Sequence, residues 1–406
     1  MTSVETLPAT AVPIVAKAKQ QYALGYLRAF LVMLVVAHHA ALAYFPYAPP
    51  PNASLVTQPR WWPAFPVVDS HKWSGSSLFV GFNDIFFMSL MFFLSGLFVW
   101  YGLERKGCGT FLRDRLLRLG LPFLFAAAIL APLAYYPSYL ETTNHEGIAQ
   151  FIRQWLSLGQ WPAGPAWFIW VLLVFDCIAT GIFAVAPKRG GSLGRFILGA
   201  SRRPVAFFAL VVIISGIAYL PMAYVFTSAS WTAFGPFAFQ TSRIIHYFAY
   251  FLIAVGLGAS GLDHGLFSAD GKLARRWPLW VTACLALFAG VSVIAIITLT
   301  SHAQSHAWAT ALDGGFVLSC AASSFAFLSL FLRFAQSRTR ILDSFSMNSY
   351  AIYLLHYAIV SWFQYALLHA SLPPLAKAAA VFLGAVGLSW SIAAMVRRIP
   401  AVARVI

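Results

Sequence analysis

Charge is scarce in this sequence. Of 406 residues, 10% are Asp, Glu, Lys or Arg, where an ordinary soluble domain carries about 25%. Acid is scarcer than base, with 12 Asp and Glu against 27 Lys and Arg. So little charge, beside a hydrophobic share of 60% and a mean hydropathy of +0.75, excludes a cytoplasmic enzyme and a disordered tail protein. It also removes the case for a nucleic-acid binder, because the +15 formal charge sits in short segments between apolar runs and sets orientation instead. Cysteine is rare too. Cys177, Cys284 and Cys320 fall inside apolar runs and Cys108 in a basic loop, without a CxxC or zinc spacing, so neither a disulfide nor a metal site is expected. No internal repeat is visible, and no long polar stretch is left for a separate soluble domain. A signal peptide is not indicated, since the mildly apolar start precedes Lys17 and Lys19 instead of following a basic region. Residues 1–20 read as a flexible cytoplasmic tail, 21–398 as one membrane domain and 399–406 as a second cytoplasmic tail.

What the sequence has is apolar runs of spanning length, roughly 20 residues each. Ten are expected, near 24–46, 80–103, 116–137, 165–187, 204–226, 241–261, 277–300, 311–335, 346–369 and 372–396. The fold class is therefore all-α and polytopic. The third run carries helix breakers and the sixth is short. Residues 47–79 make the largest loop outside the membrane, rich in Pro and Trp. With both termini in the cytoplasm, 21 of the 27 Lys and Arg fall on the inner side and 5 on the outer, with Arg28 inside the first span. That asymmetry is the positive-inside pattern, and a missed helix would invert everything after it.

An ionisable residue within a span costs at least about 2.5 kcal/mol on insertion scales, so each needs a reason. Arg28 and His39 lie eleven residues apart in the first run. Three helical turns take about 10.8 residues, which puts both on one face about 16 Å apart along the axis. His38 points about 100° away. Arg28 is either a snorkelling boundary residue or an anion ligand, and His39 either a hydrogen-bonded core residue or a base. Asp84, near the outer end of the second run, either faces interfacial water or holds a histidine in one tautomer. Ser95-Gly96 is a small pair that lets helices approach closely. Arg115 and Arg118 share a helix face at the membrane surface, where guanidinium forks suit phosphate. Asp176, Arg243, His246 and His356 each line a wet cavity or satisfy a neighbouring helix. His302 and His306 have metal-compatible spacing without a third ligand. Trp61, Trp62 and Trp73 fit a sugar platform or an interfacial aromatic belt.

Taken together, these pieces resemble the integral-membrane acyltransferase type 3 family. The matching elements are Arg28 followed by His39, Phe92-Phe93-Leu94-Ser95-Gly96, Arg115-Leu-Leu-Arg118-Leu-Gly-Leu-Pro122, Trp167-Phe168, and Ser349-Tyr350-Ala-Ile-Tyr353-Leu-Leu-His356. They occur in family order over nearly the whole chain. The Gly-Leu-Pro ending and Phe239-Gln240 look like the branch containing the periplasmic glucan succinyltransferase, although Phe87-Met88 stands where that branch tends to carry Arg-Met. The resemblance implies transfer of an acetyl or succinyl group from cytoplasmic acyl-CoA, a co-substrate, to a hydroxyl of an extracytoplasmic carbohydrate or other acceptor. No permanently bound cofactor is implied, and a bacterial inner membrane is. In that reading Arg28, Arg115 and Arg118 bind the CoA phosphates and His39 is the general base, or less favourably a transient acyl carrier. Asp84 and His356 orient or polarise. Ser95 and Trp167 lie on the substrate path, and Arg243 is the cation a succinyl carboxylate would want. A transporter or flippase for a glycan or lipid intermediate is the alternative, and the missing internal symmetry counts against it. A non-enzymatic sensor would leave Arg28 and His39 without a role.

Overall fold

In the computed structural model the described residues are 11–48, 65–142, 147–159, 161–187, 197, 199, 201–261, 266–300 and 306–406, with backbone alone for 11–21 and 142. In chain order the helices are α1 (Ala11–Leu42), α2 (Gly75–Gly96), α3 (Val99–Lys106), α4 (Cys108–Arg115), α5 (Leu121–Phe125), α6 (Ala131–Thr142), α7 (Ile148–Ser157), α8 (Trp167–Val185) and α9 (Pro204–Phe226). After a hairpin follow α10 (Ile244–Ala259), α11 (Lys272–Arg275), α12 (Trp277–Thr300), α13 (His306–Phe334), α14 (Arg340–Ala366), α15 (Pro374–Val396) and α16 (Pro400–Ala403). Among the described residues nine helices are long and apolar enough to cross a membrane. The expected ninth run is present as α14, but it is not one of these nine. Asn348, His356, Ser361 and Gln364 make it too polar, and it keeps them buried by packing against α1, α6 and α15 instead of facing lipid. The backbone is helical from Ala11, inside the segment read as a tail, and α2 begins at Gly75, inside the segment read as the outer loop. Trp61, Trp62 and His302 lie outside the described residues.

Burial separates the centre from the rim. The second span, Gly75–Lys106, is 78% buried within the protein over its most apolar window, whereas α12 is 6% buried. A helix as apolar as α12 with so little protein cover belongs against lipid tails. The centre is α1, α2, α10, α13 and α14, with α1 touching α2, α13, α14 and α15. Phenylalanines fill it, Phe86 stacking on Phe327 at 4.8 Å and Phe92 touching Phe168, Phe175 and Tyr247.

The small pair has the packing role its residues suggest. A Cβ on Gly96 would lie 2.5 Å from the Phe251 carbonyl oxygen, and one on Gly258 would lie 2.0 Å from that of Leu97. Backbone meets backbone where α2 and α10 cross, and only glycine permits it. Gly258→Ala is expected to wedge the two helices apart and cost about 1–3 kcal/mol as overpacking does. A thermal midpoint equal to wild type in the same detergent would contradict this.

Two irregular features stand out. The third span contains π-helical turns at Leu116–Gly120 and Ala126–Leu130, on either side of Pro122. Pro122 has no N–H, so it cannot give the Arg118 carbonyl its α-helical partner four residues on. The Tyr350 hydroxyl donates to that carbonyl instead, at 2.6 Å. Between α9 and α10 the chain also forms an antiparallel hairpin, β1 (Trp231–Phe234) and β2 (Phe237–Gln240), which hydropathy did not reveal. Gly235 at φ +54° followed by Pro236 gives it the II′ turn pattern.

Candidate active site

The π-turn, the α2–α3 junction and the first half of α14 together wall a cavity of about 760 Å³. That is within the range of sites that enclose most of a ligand. Arg28, Arg105, Lys106, Arg115, Arg118, Arg397 and Arg404 line it, against one acidic side chain, Asp114, which is paired with Lys106. Arg28 is exposed although α1 is central, because its side chain reaches the cavity water, with its guanidinium 5.9 Å from the Phe98 ring. The Arg115 guanidinium lies 4.8 Å over Phe111, and its Nε is 3.1 Å from Asp176 Oδ2. The cavity therefore gathers Arg28, Arg115 and Arg118, as the spacing suggested, and adds four cations that the sequence reading counted only as orientation charges.

The far end of the cavity is less charged. Val32, Met91, Ser95, Phe168, Leu172 and Tyr353 line it, and Ser95 Oγ donates to the Met91 carbonyl at 2.9 Å. Tyr353 closes this end, its hydroxyl donating to the Pro165 carbonyl in the turn Gly164–Ala166. Tyr353 also lines a small void shared with Tyr357. Gly164, at φ +56°, is required at this turn, since a Cβ there would meet the Tyr357 ring at 2.7 Å.

One turn beyond Tyr353 stand two histidines. The rings of His39 and His356 are 5.3 Å apart, and His39 is 5.0 Å from Tyr357. His356 Nδ1 lies 2.6 Å from the Tyr353 carbonyl. A carbonyl only accepts, so Nδ1 carries the proton and Nε2 the lone pair. That Nε2 is buried without a hydrogen-bond partner among the described residues, as is His39 Nδ1. The carbonyl of His39 accepts from the Gln364 side chain at 2.8 Å, which braces α1 against α14 at this level. Gln364 and Tyr357 were not expected at the site. In the sequence they look like ordinary polar and aromatic residues of an apolar helix, and only the α1–α14 contact brings them there.

Three expected members sit elsewhere. Asp84 binds neither His38 nor His39: its Oδ2 is 2.8 Å from Arg243 Nη2, and Arg243 Nη1 donates to its backbone carbonyl at 2.9 Å. His38, on the other face of α1, packs on Phe87. Arg243, with its guanidinium 4.5 Å from the Phe316 ring, is committed to Asp84 and does not point into the cavity as a free cation. Trp167 packs among Phe92, Tyr247 and Trp231, away from the cavity lining. His246 is buried against Cys320 and Tyr219.

This arrangement offers a basic vestibule and, behind Tyr353, a pair of imidazoles each with a ring nitrogen unpaired among the described residues. Residues 21–394 match the family model described as an acyltransferase domain, of the acyltransferase 3 family. Curated relatives named glucans biosynthesis protein C, from Salmonella gallinarum, Salmonella schwarzengrund and Salmonella typhi, are each 24% identical over 299 residues, 72% of this chain and 69% of theirs. No solved structure matches the chain. With a match over most of its length, the chain belongs to the acyltransferase 3 family and is a multi-pass membrane acyltransferase.

Proposed function

We propose that this protein moves an acyl group from cytoplasmic acyl-CoA to a hydroxyl of an extracytoplasmic carbohydrate, across a bacterial inner membrane with both chain termini inside. The observation that carries the reading is the cavity: a basic vestibule whose less charged end stops one helical turn from the His39–His356 pair. CoA has the matching shape, with polyanionic phosphates at one end and a thin, largely uncharged thioester arm at the other. Arg28, Arg115 and Arg118 take the phosphates, and the arm runs past Ser95 and Phe168 towards Tyr353. The Tyr353 side chain turns aside to admit the thioester.

His39 is the base. Neutral imidazole is suited to removing a proton from a hydroxyl near pH 7. As the proton passes to His39, the acceptor oxygen attacks the thioester carbonyl. The C–O bond forms, the C–S bond breaks, and the departing CoA thiolate takes the proton back from His39. His356, its tautomer fixed by the Tyr353 carbonyl, orients the reacting groups through its free Nε2. Asp84, held by Arg243 and about half exposed, is placed to accept from sugar hydroxyls on the outer side. The relatives' name supports a glucan as acceptor.

CoA, acetyl-CoA and succinyl-CoA should each be tested for thermal stabilisation of the detergent-purified protein. A ligand at 100 times its Kd adds about 2.7 kcal/mol to the folded state. Saturable stabilisation, weakened in Arg118→Ala, is expected. No response from a folded protein to any of the three would overturn the donor assignment.

A further inference from the structure

Asp176 stands apart from the other carboxylates. It lies in the middle of α8, fully buried, and among the described residues neither carboxylate oxygen has a hydrogen-bond partner; its contact with Arg115 Nε is an ion pair without hydrogen-bond alignment. A carboxylate in that setting is costly unless it is paired, and its one cation is Arg115, with Nε 3.1 Å from Oδ2. Arg115 is itself a quarter exposed and lines the basic cavity together with Arg28. Arginine has five donors in a planar fork. When a buried carboxylate faces Nε, the terminal Nη1 and Nη2 groups remain for a ligand, and among the described residues no hydrogen bond or ion pair claims them.

We propose that Asp176 is a positioning residue. It fixes the plane of the Arg115 guanidinium so that the paired Nη donors face a phosphate in the cavity. The inference rests on the acyl-CoA reading of that cavity and assigns α8 a part in donor binding. The local geometry fits this role. The π-turn begins at Leu116, immediately after Arg115, so a regular helix on one side and a wider one on the other leave this arginine at a change of register. Its side chain needs an external anchor, and Phe111 below with Asp176 beside supplies one.

Electrostatics and positioning predict opposite signs. Asp176→Asn removes a negative charge beside an anion site. If charge alone mattered, CoA would bind several-fold tighter, given the effective dielectric of about 20 typical of protein sites. If the fork must be held, CoA binds more weakly, by about tenfold for one lost bidentate charge-assisted contact.

The experiment is calorimetric titration of CoA into the full-length protein in detergent. It compares wild type, Asp176→Asn, Asp176→Glu, Arg115→Gln and the double variant Arg115→Gln with Asp176→Asn. The expected results are weaker binding in Asp176→Asn, an intermediate Kd in Asp176→Glu, and no added loss from Asp176→Asn when Arg115 is already replaced. Equal or tighter binding in Asp176→Asn overturns the proposal, and so does the same loss in the Arg115→Gln background, which would mark a purely structural role. Should Asp176→Asn fail to fold, Asp176→Glu decides: a wild-type Kd overturns the proposal, and a Kd raised a few-fold at an unchanged melting temperature supports it. If folded wild type does not bind CoA, the donor reading itself falls and this inference with it, an outcome distinct from wild-type binding that Asp176 does not influence.

Discussion

Replacing His39 with alanine is expected to lower acyl transfer by about 10²–10⁴-fold, the usual contribution of a positioned general base, while CoA binding changes little. The separation follows from the distances. Val32 is the α1 residue that lines the less charged end of the cavity, and His39 lies seven residues further on, about 10 Å along the helix. Arg28, one of the proposed phosphate ligands, is further still, eleven residues from His39 on the same helix. A variant that loses catalysis but keeps CoA-dependent thermal stabilisation would place His39 at the chemistry and not at the binding site. His356→Ala should be less severe if it only orients, and its loss should not exceed that of His39→Ala. The measurement is release of free CoA thiol with a glucan acceptor, run beside the thermal assay. Wild-type turnover in His39→Ala would remove it as the base.

Much of this was legible in the sequence because membranes make strict demands. Spans show as apolar runs, and Pro204–Phe226 and Trp277–Thr300 lie where hydropathy put them. Arg28 and His39 share a face by helical arithmetic alone. What the sequence could not convey depends on which helix is whose neighbour. Asp84 turns to Arg243, 159 residues away, because α10 packs on α2. Tyr353 and Pro165 meet because α14 crosses the start of α8. Arg397 and Arg404 look like positive-inside markers until α14, α15 and the chain after it fold back to the cavity mouth.

Removing the amine of Lys377 should be among the most damaging changes outside the site. Lys377 and Asp69 are both almost wholly buried, with Nζ 2.7 Å from Oδ2, and Nζ also donates to the Leu368 carbonyl at 2.9 Å. The other carboxylate oxygen of Asp69 accepts from the His71 amide at 2.8 Å, and the Asp69 amide donates to the Ala43 carbonyl at 3.0 Å. This knot straps residues 65–74 to α15 and to the segment that follows α1, the helix that carries His39. Lys377→Ala leaves a buried carboxylate without its cation, which typically costs about 3–5 kcal/mol. Amide exchange in 65–74 should then rise by about 10²–10³-fold, since local opening governs it. Lys377→Met combined with Asp69→Asn should recover most of the loss, because no unpaired charge remains. The pH dependence has a fixed sign. Burial alone would raise the Asp69 pKa, but the hydrogen bond and charge of Lys377 and the His71 amide outweigh it and hold the carboxyl below its ordinary 3.8. A carboxyl depressed in the folded state adds stability that is complete well above 3.8 and is lost as pH falls through its lower folded value. With Lys377 gone, burial acts on Asp69 without its main opponent and raises its pKa, so the variant sheds its penalty by taking up a proton as pH falls through that raised value; the gap between wild type and Lys377→Ala should therefore be widest at neutral pH and narrow progressively in acid. A gap that widened in acid, or exchange in 65–74 unchanged at pH 7, would mean that this pair does not hold the outer strap in place.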